Sequence, residues 1–214
     1  DFGESWATGA SIADAIAERM PRTLILSISM MLISVVIGVP LGVIAAIKQN
    51  KWQDNMCMTL ALVGISIPNF WLALLLVLLF SVKLDLLPPM GIGGLEYYIL
   101  PAMAGCTGGI AASARQTRSS MLDVMRADYI TTARAKGVPE WQVIIKHALK
   151  NGMIPIITVM GTHFGKMLGG TMIIETIFGI PGMGDLIINA VNGRDYPVVQ
   201  IGCLLYTSDA ADDK

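Results

Sequence analysis

Two ionisable side chains, His163 and Lys166, stand inside an otherwise uncharged stretch that runs from Asn151 to Ile174. Three residues apart, they share a side of any helix that carries them. Ionisable groups at membrane depth are costly and turn toward a protein interior or water, so the pair is a candidate lining for a translocation path. Helix contacts, or a Lys166 that snorkels to an interface, would account for the same residues equally well. Gly161-Thr-His-Phe-Gly165-Lys166 has the outline of a phosphate-binding loop. It is one residue short, however, and Met167 follows where serine or threonine is needed. Gly161 and Gly165 read better as a small-xxx-small packing face. Cys57, Cys106 and Cys203 lie far apart inside apolar runs, without metal-ligand spacing, and read as small buried hydrophobes. There is no His-Glu-x-x-His, no Gly-x-Ser-x-Gly and no opposed carboxylate pair in an apolar run. The expectation is therefore no catalytic residue and no metal site.

Long uncharged runs position these side chains. Of 214 residues, 54% are hydrophobic and only 14% charged, where a soluble domain carries about a quarter charged, and the mean hydropathy is +0.62. The first run is Thr23 to Ala46; at about 1.5 Å per residue it is roughly 36 Å long, enough to cross a bilayer. The second, Asn55 to Val82, contains Pro68 and predicts one kinked or broken helix. The third, Tyr97 to Ala114, is rich in Gly and Ala, and the fourth is Asn151 to Ile174. A fifth begins near Pro197 and stops after Leu205. The fold expected is all-α, a polytopic transmembrane helical bundle of four complete spans plus a truncated fifth. Residues 1–205 then form the transmembrane domain, and the polar stretch 206–214 reads as a non-native tail.

Lysine and arginine placement orients the chain. Lys48 and Lys51, with Arg115, Arg118, Arg126, Arg134, Lys136, Lys146 and Lys150, put nine basic residues on one side. The other side has four, Arg19, Arg22, Lys83 and Arg194. The 115–150 segment is therefore expected in the cytoplasm. Net charge is −1 and no basic stripe with interleaved aromatics is present, which points away from nucleic acid.

Two short helices are written into that segment. Leu122 to Lys136 ends with Arg134 and Lys136 in its last turn and Gly137 as its stop. The second opens at Pro139 with Glu140 beside it. From there Trp141, Ile144, Ile145, Ala148 and Leu149 share one face, and Gln142, Lys146, His147 and Lys150 the other. Such a pattern suits a helix lying on the membrane surface or one that docks on a cytoplasmic partner, and periodicity leaves both open. Downstream, Glu175 and Asp185 flank the turn-rich run Gly179-Ile-Pro-Gly-Met-Gly184, and Arg194-Asp195 precedes the last run. Singly, each of these four reads as a solvated loop charge.

Four blocks together resemble one family. Asp128-Tyr-Ile-Thr-Thr-Ala-Arg-Ala-Lys-Gly137, followed by His147-Ala-Leu-Lys-Asn151 and Pro155, is similar to the cytoplasmic coupling loop of binding-protein-dependent transport permeases. Glu175-Thr-Ile-Phe-Gly-Ile-Pro-Gly-Met-Gly184 with Arg194-Asp-Tyr-Pro-Val-Val-Gln200 agrees, as do Ile67-Pro-Asn-Phe-Trp71 and Arg115-Gln-Thr-Arg-Ser-Ser-Met-Leu122. The branch resembled is the dipeptide, oligopeptide and nickel permeases of ABC importers, and the likeness runs from Phe2 to about Leu205. The general permease signature has Glu-Ala-Ala ahead of its glycine; Thr131, Thr132 and Ala133 stand there, with Gly137 in place.

The resemblance implies a transport subunit without its own ATPase site, in a bacterial or archaeal plasma (inner) membrane. Relative to a full family member, the chain would lack an N-terminal span and the end of the last one. Its implied partners are membrane lipid, a second permease subunit in a heterodimer, two ABC ATPase subunits and an extracytoplasmic substrate-binding protein. ATP and Mg would be bound by the ATPases, with no cofactor in this chain. Asp128, Tyr129, Thr132, Ala133, Arg134, Ala135, Lys136 and Gly137 would form the ATPase-coupling loop. Glu175, Asp185, Arg194 and Asp195 would lie on the face that meets the binding protein. Peptide is the default substrate of the branch, and nickel or a metal chelate the nearest rival. An ion-coupled secondary transporter would need buried coupling residues on several helices, and an intramembrane enzyme would need the motifs that are missing.

Overall fold

The computed structural model describes residues 2–207, and these are helical apart from connecting turns and one antiparallel bridge, Glu4 to Ser11. Ten helices are described: α1 Ile12–Ile47, α2 Trp52–Ser66, α3 Asn69–Leu76, α4 Glu96–Gly105, α5 Thr107–Met125, α6 Asp128–Ala135, α7 Glu140–Gln142, α8 Lys150–Phe178, α9 Met183–Asn192 and α10 Tyr196–Thr207. π-helical turns extend α3 through Val77–Lys83 and join α7 to α8 through Val143–Leu149. By length and composition two of these helices can cross a membrane, or three if α2 and α3 count as one broken span. Residues 208–214, and with them most of the expected non-native tail, lie outside the described residues.

Local chemistry explains where the runs start and stop. The Ser11 hydroxyl accepts the Asp14 amide at 3.5 Å, an N-cap that starts α1 a dozen residues ahead of its uncharged run. Ile67 is extended, with φ −84° and ψ 122°, as a residue before proline prefers to be. The expected single helix over 55–82 is therefore two helices. The Ser66 hydroxyl donates to the Leu62 carbonyl at 3.0 Å, bonding back one turn within the end of α2. The third run is also divided. α4 ends at Gly105 and α5 continues past the apolar residues to Met125. The Cys106 carbonyl at this second break receives the Ser34 hydroxyl at 3.1 Å.

Packing divides the chain into two compact units. The first takes the N-terminal segment up to Met30, Pro68–Gly105, and the described chain from Phe164 onward. Its apolar centre packs Ile12 of α1 against Ala190 of α9 and Val198 of α10. Sequence reading missed α9, taking its start for a turn-rich loop, although Met183, Leu186, Ile187, Ala190 and Val191 follow a helical stripe. Asp195 is buried just before α10. Its carboxylate accepts the Ser5 hydroxyl and the amides of Trp6 (3.1 Å), Ala7 and Val198, so it caps α10 and ties down the N-terminal segment. These bonds, the Ser5 hydroxyl foremost, hold its carboxyl below the usual aspartate range although burial pushes the other way. Trp6 meets Tyr196 edge-on with ring centroids 6.2 Å apart.

The second unit comprises Met31–Ile67 and Cys106–His163. Here α1 and α5 touch almost backbone to backbone. A Cβ on Gly38 would stand 2.0 Å from Ser113 Oγ and 2.7 Å from the Ile110 carbonyl; one on Gly42 would stand 2.5 Å from the Ala114 carbonyl. This Gly-xxx-Gly pair, with Ile110, Ser113, Ala114 and Thr117 of α5 against it, is the close-approach device of membrane helices. Gly161 is different: a Cβ there meets nothing within 4 Å. The packing face expected at Gly161 and Gly165 thus makes no close approach at Gly161 within this chain. α2 joins α5 through a forked ion pair, Arg118 Nε and Nη2 each 2.7 Å from an Asp54 oxygen. Asp54 also accepts the Asn50 amide at 3.0 Å, stabilising the left-handed turn at Asn50, φ 62°.

Two outcomes follow from these contacts. Gly42→Leu should lower the thermal aggregation midpoint of the detergent-solubilised protein, by the equivalent of ~1–3 kcal/mol, while Gly161→Ala leaves it unchanged. Asp195 should make stability acid-sensitive. A carboxyl held low stabilises the fold above the ordinary aspartate value, about pH 4, and that contribution is lost as pH falls through the depressed value. Melting curves taken from neutral to acid pH should show the loss in wild type and a flatter profile in Asp195→Asn.

Candidate functional site

The segment between α5 and α8 folds as a helix, a tight turn and a second helix on the end of the second unit. α5 ends at Met125, and Ala127 is extended, φ −73° and ψ 148°, before α6 begins at Asp128. The expected helix from Leu122 is therefore two elements, because Leu122 to Met125 complete α5. α6 ends in a Schellman arrangement: the Val138 amide reaches the Ala133 carbonyl at 3.3 Å and the Gly137 amide that of Arg134 at 2.9 Å. Gly137 has φ +77°, the left-handed conformation a residue with a Cβ adopts at a cost. Across the turn Arg134 grips Glu140 with Nη2 at 2.7 Å and Nε at 3.2 Å. Pro139 is the residue just ahead of α7, in extended conformation, and α7, the π turn and α8 form one continuous helix, Glu140–Phe178.

A small core supports this turn. Ile130 and Ala133 of α6 pack with Met121 of α5, Ala46 of α1, and Val143 and Ala148 of the π turn. Ala133, expected on the partner-contacting surface, is a correction: it is 8% exposed and faces this core. Its small side chain lets α6 lie close to its neighbours. Asp128, Tyr129, Thr132, Arg134, Ala135, Lys136 and Gly137 are exposed. The expected apolar face of the second helix is also re-phased. Val143 and Ala148, five residues apart, are buried, while Trp141 and Ile145 are more than half exposed. A π turn repeats every four to five residues, so a 3.6-residue wheel assigns its faces wrongly. Lys146 lies over the Trp141 ring, 6.0 Å from its centroid.

The remaining candidates occupy other places. His163 is partly exposed and Lys166 exposed, both on α8. Glu175 is a second correction: it is fully buried within the first unit, not set out on a binding-protein face. The Thr23 hydroxyl donates to its Oε1 at 2.6 Å, and the Gly184 and Asp185 amides to its Oε2 at 2.8 and 3.2 Å. Asp185 pairs with Arg19 at 3.0 Å. Asp195 is likewise buried as a cap rather than presented to solvent, while its neighbour Arg194 is exposed with φ 55°. Sequence reading missed the Asp54–Arg118 pair; its signal was a lone acid at the head of an apolar run, opposite arginine-bearing α5. Among the described residues, no three His, Cys, Asp or Glu side chains are grouped to hold a metal ion.

Known proteins match this architecture. The family described as the binding-protein-dependent transport system inner membrane component matches residues 38–208. The glutathione transport system permease protein GsiC of Escherichia coli (strain K12) is 45% identical over 207 residues, covering 97% of this chain and 68% of its own. GsiC of Shigella dysenteriae serotype 1 has the same figures. A solved structure described as an amino acid ABC transporter with histidines superposes with a TM-score of 0.66 at 17% identity, over 92% of this chain and 87% of its own. It shares the fold. The family match spans more than half the chain, and the helix-turn-helix with Gly137 at its corner falls within it. The chain belongs to the binding-protein-dependent transport system inner membrane components and is a permease subunit of an ABC importer.

Proposed function

We propose that this permease forms, with a second permease subunit, the membrane path of an importer for short peptides or peptide-like thiols, and that the exposed face of α6 with Gly137 docks on an ATP-hydrolysing subunit in the cytoplasm. The observation that carries the reading is the construction of that corner. Ile130 and Ala133 anchor it from within, the Schellman bonds and the Arg134–Glu140 fork fix its angle, and Tyr129, Thr132 and Lys136 remain exposed. A rigid projection whose inner face is already committed can transmit a push without deforming. Closure of the ATPases would bias the permease helices between two packings, which is alternating access.

The chain itself supplies no chemistry in this account. ATP and Mg are bound by the partner ATPases, and an extracytoplasmic binding protein delivers the substrate. The peptide class is favoured because the similar GsiC proteins are named for glutathione, itself a tripeptide. His163 and Lys166 are proposed as polar positions on the path, with Arg194 and Asp185 toward the binding protein.

The docking assignment is tested by affinity capture of the tagged, full-length permease in detergent. Wild type should recover an ATP-hydrolysing subunit, and Lys136→Glu or Gly137→Val should recover at least about tenfold less, the effect of losing roughly 1.4 kcal/mol. Monodisperse elution of each variant would show that folding is intact. Undiminished capture by both variants would place the contact elsewhere.

A further inference from the structure

Glu175 opens one of the blocks that mark the family, yet transport chemistry has no use for it. It stands in the last turns of α8, wholly buried. Its carboxylate is turned back onto the N-terminus of α9, where the Gly184 and Asp185 amides donate to Oε2. Oε1 accepts the Thr23 hydroxyl of α1, and Thr23 Oγ1 in turn accepts the Met183 amide at 2.8 Å. Three helices thus meet on one side chain. Among the described residues no cation pairs with it; its bonded donors are neutral, and the positive end of the α9 dipole complements its charge.

The surrounding residues are fitted to this carboxylate. A Cβ on Gly182 would stand 2.5 Å from Glu175 Cδ, and one on Gly184 2.4 Å from Met172 Cα. Gly182 and Gly184 therefore make room for the carboxylate and for α8, while Gly179 supplies the left-handed residue of the turn, φ 63°. Two arginines of α1 brace the same corner: Arg22 donates to the Pro181 carbonyl at 3.2 Å, and Arg19 to Asp185 at 3.0 Å. Loss of the carboxylate leaves the buried Gly184 amide and Thr23 hydroxyl, and the part-buried Asp185 amide, without this acceptor.

We propose that Glu175 is a positioning residue that makes the α8–α9 corner a rigid joint, so that α9 stays fixed to the start of α1 and the end of α8 throughout the transport cycle. The inference rests on family membership and not on the docking assignment, because its readout is a distance within the first unit. The amide of glutamine can fill the same place: its oxygen still accepts from the α9 amides, and its nitrogen meets Thr23 Oγ1 as a donor where the carboxylate accepted, so the bonds to α9 are kept and only the Thr23 hydroxyl proton loses its acceptor. The joint is accordingly geometric and does not depend on the charge.

The test is a spin-label distance between Ala17→Cys on α1 and Val191→Cys on α9, both exposed. A Cys203→Ser background removes the exposed native thiol, Cys57 and Cys106 being buried. The assembled transporter is measured without nucleotide and again after trapping with ATP and vanadate. Wild type and Glu175→Gln should give the same narrow distribution in both states. Glu175→Ala and Thr23→Val should broaden it or make it depend on the state, even where the assembled complex still hydrolyses ATP. A wild-type shift of more than about 5 Å, one helical turn, would show that α9 is a moving flap and overturn the proposal. An unchanged, narrow distribution in Glu175→Ala would equally overturn it, because the joint would then owe nothing to the carboxylate.

Discussion

A backbone group that a membrane-spanning chain removes from water must find its partner inside the protein, and much of the structure is arranged around that constraint. Beside the helix breaks, hydroxyls of small residues add bonds to backbone carbonyls: Ser66 to that of Leu62 and Ser34 to that of Cys106. Where α1 and α5 approach too closely for side chains, Ser113 donates within the seam, 2.9 Å from the Ser34 carbonyl and 2.7 Å from that of Gly109. Where helices begin, buried acids stand in for solvent. Glu175 caps α9, Asp195 caps α10, and Asp54 serves both the Asn50 turn and Arg118. Acidic side chains that look like surface charges in the sequence are in these cases internal acceptors.

The same economy of partners shapes the corner at Gly137. Its inner residues are spent on the core with Met121, Val143 and Ala148. Its one strong ion pair, Arg134–Glu140, spans the turn rather than reaching out. What is left exposed is polar and aromatic: Tyr129, Thr132 and Lys136 on α6, Trp141 a few residues further on. Stiff within and available without, the corner suits the proposed role of passing on a movement generated in a partner subunit.

Much of this was legible in the sequence because it is local. The uncharged runs found the long helices, Pro68 marked a break, and Gly137 and Pro139 bounded the corner. The misses are tertiary or depend on an unusual helical period. Nothing in an Ala133 or a Glu175 read alone says that it is buried, since burial is decided by residues far away in sequence: Met121 for the one, Thr23 for the other. The face of 141–149 was assigned with a 3.6-residue period that its π turn does not follow. The glycine pair that brings helices together is Gly38 and Gly42, while a Cβ on Gly161 meets nothing, and only the chain opposite distinguishes them. α9 was the avoidable miss, its apolar stripe hidden behind a glycine-rich approach.

The central claim, that this chain is the permease of an ATP-driven importer, is met most directly by uptake into proteoliposomes. The vesicles would hold the permease, its partner permease and the ATPases, with the binding protein outside and labelled glutathione and short peptides as probes. Uptake should require ATP inside the vesicle and the binding protein outside, and should persist when proton and sodium gradients are collapsed. Uptake driven by an ion gradient in the absence of ATP would contradict the account.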